Sequence, residues 1–177
     1  MKPLYISATV KDSGKTSLNL GLIQLLKQRG FDPGYIKPVG QNYVQYGGHN
    51  IDEDAVLIRD ALDFTDEPQY MSPIAIEKDF TRKFIENPDV KALEEKILKA
   101  QEKISSAHSM VMVEGTGHAG VGSCFGLSNA TVARLTGSKV VIVTTGGIGR
   151  PLDEIALSLT SFRHHNVEVA GVILNKV

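Results

Sequence analysis

The chain has 177 residues, 42% of them hydrophobic, enough for one compact domain with a full core. Its 19 basic and 20 acidic residues give a formal net charge of −1, which argues against a nucleic-acid or membrane surface and leaves any anion binding to a local site. Cys124, the single cysteine, excludes an internal disulfide and a cysteine-based zinc site, no secretory h-region opens the chain, and no apolar run nears the ~18 residues of a membrane span, so a cytoplasmic protein is expected.

Leu4 to Ala8 is short, apolar and rich in β-formers, as a buried parallel strand should be. After Thr16, the residues Leu18, Gly21, Leu22, Leu25 and Leu26 recur at helical spacing until Gly30 ends the pattern. The window between them, Thr9-Val10-Lys11-Asp12-Ser13-Gly14-Lys15-Thr16, matches the Walker A pattern G-x-x-x-x-G-K-[ST] except that Thr9 replaces the first glycine. A strand, a tight turn and a helix N-terminus bind phosphate because the first-turn N–H groups lack partners and the helix dipole adds positive charge. Thr9, Lys11, Asp12, Ser13, Gly14, Lys15, Thr16 and Ser17 are therefore the candidate nucleotide cradle, with Lys15 reaching the β- and γ-phosphates and the Thr16 hydroxyl ligating Mg²⁺. The alternative is a plain strand-to-helix turn with a surface lysine.

Tyr35-Ile36 reads as a second strand ended by Lys37-Pro38, residues 39–50 as a loop, and residues 51–62 as a helix with Asp52, Glu53 and Asp54 in its first turn. Residues 64–90, with Pro68, Pro73 and Pro88, predict irregular or short elements, and 92–106 a clear amphipathic helix. Residues 110–113 form a buried strand, followed by the glycine-dense stretch from Glu114 to Gly122. Residues 140–144 form another strand, then come glycines 146, 147 and 149, a helix from Pro151, and a last strand over 169–174. Alternating strands and helices imply a mainly parallel α/β sheet, whose ligands sit beyond the C-terminal strand ends. Lys37, Glu114, the 146–149 glycines and Asn175 each follow a strand and should share that rim with the phosphate loop.

Glu114 ends an apolar strand, where a carboxylate completes a Mg²⁺ site begun by Thr16, or else caps the next turn. Asp54 is the second acidic candidate, with Asp52 behind it; either could serve only as a helix N-terminal acid. Lys37 could neutralise a phosphoryl group or an acidic substrate, or lie on the surface. His118 reads as an ordinary hydrogen-bonded histidine or a substrate contact, and His164-His165 as a solvated helix end.

The strings Ala8-Thr9 to Thr16, Gly34 to Val39, Asp54-Ala55, Val113 to Gly117 and Val172 to Asn175 resemble dethiobiotin synthetase, in that order, over nearly the whole chain. That family also carries Thr in place of the first loop glycine. The resemblance implies an α/β P-loop NTPase three-layer sandwich with a mainly parallel sheet, and ATP as ligand. It further implies Mg²⁺ held by Thr16, Asp54 and Glu114, phosphate contacts from Lys15 and Lys37, adenine recognition by Asn175, and a homodimer. The strings Glu114 to Ser123, Leu127 to Ala130, Gly146 to Pro151 and Ile173 to Val177 are similar to the dethiobiotin-synthetase-like N-terminal domain of phosphotransacetylase and to cobyrinic acid a,c-diamide synthase-like relatives. There the domain is a nucleotide-binding or regulatory unit.

Gln41, where dethiobiotin synthetase has a small hydroxyl residue, and His118-Ala119, where it has an aromatic, depart from the synthetase in its substrate region and argue against diaminopelargonate. The expected organisation is a single nucleotide-binding domain over 1–177, shortened at its C-terminus because Val177 stands at a strand end before the base-binding loop of these families. Two functions are expected: a Mg-ATP-binding sensor or regulatory module, or an ATP-dependent ligase that phosphorylates a small carboxylate or a diamine-derived carbamate, with Lys15 and Lys37 stabilising the charge in transfer.

Overall fold

The computed structural model describes residues 2–177. In chain order the elements are β1 (Leu4–Ala8), α1 (Lys15–Gln28), β2 (Pro33–Ile36), β3 (Val39–Gly40), β4 (Tyr43–Tyr46), β5 (His49–Asp52), α2 (Glu53–Ala61), α3 (Pro68–Met71), β6 (Ile74–Ala75), α4 (Phe80–Glu86), α5 (Val90–Ala107), β7 (Met110–Glu114), α6 (Asn129–Leu135), β8 (Lys139–Thr145), α7 (Arg150–His164) and β9 (Val169–Asn175). A short 3₁₀ turn over Ser123–Phe125 precedes α6.

Five strands form one parallel sheet in the order β2-β7-β1-β8-β9. The chain moves one way across the sheet from β1 to β2 and the opposite way from β2 to β7, so right-handed crossovers put α1 and α5 on opposite faces. The result is the expected three-layer α/β sandwich of the P-loop type. Tyr5, Ile6 and Ala8 of β1 and Val111, Met112 and Val113 of β7 are buried because both faces of these strands are covered by helices. On the helix side Ile23, Leu93, Ile97, Ala100 and Ile104 close the core. β9, at the edge, alternates half-buried and exposed residues instead.

Residues 39–50, expected as a loop, carry two strands and the first half of a third. β4 and β5 make an antiparallel hairpin closed by Gly47 and Gly48, at φ +58° and +83°, the two-residue turn whose twist matches its strands. Its strands are short and largely exposed, with only Ile51 and Asp52 buried, so no buried apolar face announces them. The following helix starts at Glu53 rather than at 51, since Asp52 is its N-cap and accepts from the Asp54 N–H at 3.0 Å. Residues 64–90 hold three short elements, in line with their prolines. α6 went unread in the sequence; Ser128 caps it by accepting from the Thr131 N–H at 3.0 Å.

Candidate functional site

Residues 9–14 turn from β1 into α1 beyond the C-terminal edge of the sheet, at the strand where the topology changes direction. The Thr9 N–H donates to the Val143 carbonyl at 3.0 Å, and its buried hydroxyl lies 2.9 Å from that of Thr144. Asp12 and Gly14 have φ of +61° and +92°. The Ser13 hydroxyl donates to the Val10 carbonyl at 2.9 Å. From β9 the Asn175 amide donates to the Ser13 carbonyl at 2.9 Å, and Lys176 Nζ reaches the Asp12 carbonyl at 2.6 Å. The first bond inside α1 runs from the Leu18 N–H to the Gly14 carbonyl, so the N–H groups of Lys15, Thr16 and Ser17 have no partner within the helix. These three residues line a cavity, and N–H groups left free at a helix N-terminus are the chemistry that accepts an anion.

Opposite this helix N-terminus stand three carboxylates. Lys37, 6% exposed, directly follows β2; its ammonium is 2.8 Å from Asp52 Oδ1, in contact with Asp54 Oδ2, and 3.6 Å from Glu114 Oε1. Glu114 is fully buried at the end of β7. Oε1 accepts from the Thr16 hydroxyl at 2.9 Å, and Oε2 accepts from the Asn19 amide at 2.8 Å and the Tyr35 hydroxyl at 3.0 Å. Burial pushes the Glu114 carboxyl above the usual carboxylate range even though Lys37 pulls it down. Burial alone would lower the Lys37 pKa, but Glu114, Asp52 and Asp54 outweigh it and hold the ammonium above the ordinary lysine range. Lys15 is shifted the other way: burial lowers it, and the carboxylates do not make up the difference.

A cavity of about 390 Å³ joins the two halves. Lys11, Asp12, Gly14, Lys15, Thr16, Ser17, Lys37, Asp54, Glu114 and Asn175 line it, with Asp52, Gln41 and Asn42 from the two ends of the hairpin. Thr9 and Ser13 lie behind the loop, holding its shape. The glycines 146 to 149 are outside the lining, although they share the rim, and His118 is exposed, with Nδ1 accepting from the Gly120 N–H. His165 packs near Thr131, away from the cavity.

Several polar residues that shape the site escaped the sequence reading. Asn19 lies one helical turn beyond Thr16, a spacing that could have flagged it. Asn129, at the start of α6, accepts from the Tyr5 hydroxyl at 2.7 Å and the Thr116 N–H at 2.9 Å, and donates to the carbonyls of Thr116 and His118 at 2.7 and 2.6 Å. Gly115 is required there: a Cβ would lie 2.6 Å from the Tyr5 ring and 2.8 Å from Asn129 Oδ1. No local pattern signals either partner.

A family model described as an AAA domain matches residues 2–177. An ATP-dependent dethiobiotin synthetase from Methanocaldococcus jannaschii is 26% identical over 97% of this chain and 78% of its own length. A phosphate acetyltransferase from Nitratidesulfovibrio vulgaris is 28% identical over 98% of this chain but only 24% of its own length. Among solved structures, the kinase domain of the Escherichia coli tyrosine kinase ETK superposes with a TM-score of 0.66 at 17% identity, covering 99% of this chain and 68% of that one.

Proposed function

The chain belongs to the AAA domain family, and from that membership we propose that its cavity takes ATP with Mg²⁺ and that the domain serves as a nucleotide-sensing or regulatory module of a larger protein. The observation that carries this reading is the convergence, in one cavity, of the unpartnered first-turn N–H groups of α1, the Lys15 ammonium and the Thr16–Glu114 pair. Lys15 and Lys37 are then the phosphate ligands, and Asn175 supports the loop while its carbonyl oxygen remains to meet the base.

The oxygen donors suit Mg²⁺, a hard cation: the Thr16 hydroxyl and the carboxylates of Glu114 and Asp54 all line the cavity. Among the described residues no group of three His, Cys, Asp or Glu side chains is arranged as a ready-made metal cage, so phosphate oxygens and water would complete the shell. When bound, the ion would offset phosphate charge.

A second reading, an ATP-dependent ligase that activates a carboxylate or carbamate by phosphorylation, is favoured by the match to 78% of the length of the Methanocaldococcus jannaschii dethiobiotin synthetase. Lys37 would then stabilise the charge in transfer. Calorimetric titration with ATP and Mg²⁺ tests the shared part: saturable binding is expected, and its loss in Lys15→Ala. Equal binding by the wild type and Lys15→Ala would sink the phosphate-loop assignment. ADP release stimulated by diamine or carboxylate substrates would decide for the ligase, and tight ATP binding with no stimulation for the module.

A further inference from the structure

Lys37 is enclosed on three sides by carboxylates, and two of them, Asp54 and Glu114, are the ones a divalent cation would need. Its Nζ is 2.8 Å from Asp52, in contact with Asp54 and 3.6 Å from Glu114, with the side chain 7% exposed. These three carboxylates face two ammonium groups, those of Lys37 and Lys15, so the protein already neutralises most of its own acidic wall. The hydrogen bond from Thr16 to Glu114 needs no rearrangement to admit a cation, because a hydroxyl that ligates through its lone pair keeps its proton for Glu114. Asn19 and Tyr35, which donate to the other oxygen of Glu114, lie on the far side and can also stay. The contacts that must yield are those of Lys37 with Asp54 and Glu114.

We propose that the Lys37 ammonium is the resident counter-cation of this carboxylate cluster, and that it makes divalent-cation binding conditional on nucleotide. This rests on the reading that the cavity takes nucleotide phosphate. Without phosphate, an entering cation would meet a buried ammonium whose only alternative anionic partner is Asp52, and both positive charges would compete for the same oxygens. A phosphate chain seated on the first turn of α1 gives Lys37 a new partner on the cavity side and frees Asp54 and Glu114 for the ion. Asp52, fixed as the N-cap of α2, holds the lysine in place through the exchange. Lys37 thereby selects the metal–nucleotide complex over the free metal.

The test uses Mn²⁺, followed by electron paramagnetic resonance, with and without a non-hydrolysable ATP analogue. In the wild type the analogue should raise Mn²⁺ affinity by at least about tenfold, and by reciprocity Mn²⁺ should raise analogue affinity by the same factor. Lys37→Met should bind Mn²⁺ without nucleotide at least about tenfold more tightly than the wild type, while Lys37→Arg, which keeps the charge, should not. Adding Glu114→Gln to Lys37→Met should remove the gain and so locate it. Equal Mn²⁺ affinity in the wild type with and without the analogue, or no gain in a folded Lys37→Met, would overturn the proposal. Should Lys37→Met not fold by circular dichroism, Lys37→Gln, which also removes the charge, takes its place with the same expected gain. Failure of the analogue to bind the wild type would overturn the nucleotide reading instead, and a Mn²⁺ gain in Lys37→Met would still support the role of Lys37 as counter-cation.

Discussion

The hydroxyls of Thr9 and Thr144 meet 2.9 Å apart, both buried, and tie the end of β1 to the end of β8 directly behind the phosphate loop. The residue that breaks the Walker A pattern is thus bonded to the neighbouring strand. Restoring the pattern with Thr9→Gly should therefore destabilise the protein by about 1–3 kcal/mol, because it strands the Thr144 hydroxyl and adds backbone freedom to the unfolded chain. Thr9→Val should cost a similar amount, whereas Thr9→Val with Thr144→Val should recover most of it, since removing both partners leaves no orphan. Urea unfolding of the wild type, Thr9→Val, Thr144→Val and the double variant completes this cycle.

Gly14 carries a positive φ of 92°, and a side chain there would collide with the Asn175 amide that supports the loop. Gly14→Ala should lose about 1–3 kcal/mol from its backbone conformation alone and should weaken ATP binding at the same time. Gly21, exposed on α1 with open space around it, is the control. Gly21→Ala should gain about 0.5–1 kcal/mol in thermal or urea unfolding and leave nucleotide affinity alone, because only helix propensity changes.

The legible features were those with local causes. Leu4 to Ala8, the Gly14-Lys15-Thr16 turn and the helix after it announce themselves by apolar run, loop chemistry and helical spacing, and so do β7, β8 and β9. The hairpin over 43–52 did not, because its short, mostly exposed strands are held by backbone pairing and by two glycines rather than by an apolar face. The hairpin is also what lets Asp52 and Asp54 both reach Lys37: the first is the last residue of β5 and the second lies in the first turn of α2. The partnerships of Asn129 with Tyr5 and of Asn19 and Tyr35 with Glu114 span up to 124 residues, and only the sheet order creates them.

Asn129 uses both faces of its amide to fix the backbone of Thr116 and His118, and so shapes the wall of the cavity beyond Glu114. Asn129→Ala should destabilise the protein by about 2–3 kcal/mol by leaving buried donors and acceptors unpaired. Asn129→Asp should restore the bonds to the Tyr5 hydroxyl and the Thr116 N–H, but not those to the two carbonyls. Hydrogen exchange should then show faster exchange at the Thr116 amide in Asn129→Ala, with the hydrogen-bonded amides of α1 from Leu18 onward protected as in the wild type. Uniform loss of protection across both segments would contradict a local positioning role.

Tyr5 and Tyr35 are fully buried, and burial, reinforced by the charge of Glu114, raises both phenols above their ordinary value of 10.0; for Tyr35 the nearby Asp54 and Asp52 charges and its hydrogen bond to Glu114 add to this. A raised pKa means that the native state keeps a proton which the unfolded chain gives up, so stability must fall as pH rises through and above 10.0. That contribution is fully present below pH 10.0 and is lost progressively toward the folded-state values. Native-state absorbance at 295 nm should therefore be insensitive to Tyr5→Phe and Tyr35→Phe up to the pH at which the protein unfolds. Each substitution should also flatten the alkaline fall in unfolding free energy, at a cost in stability near neutral pH from the hydroxyl lost to Asn129 or Glu114. A drop in the native 295 nm signal near pH 10.0 on either substitution would show that the phenol ionises in the folded protein, and that the sheet leaves water a path to it.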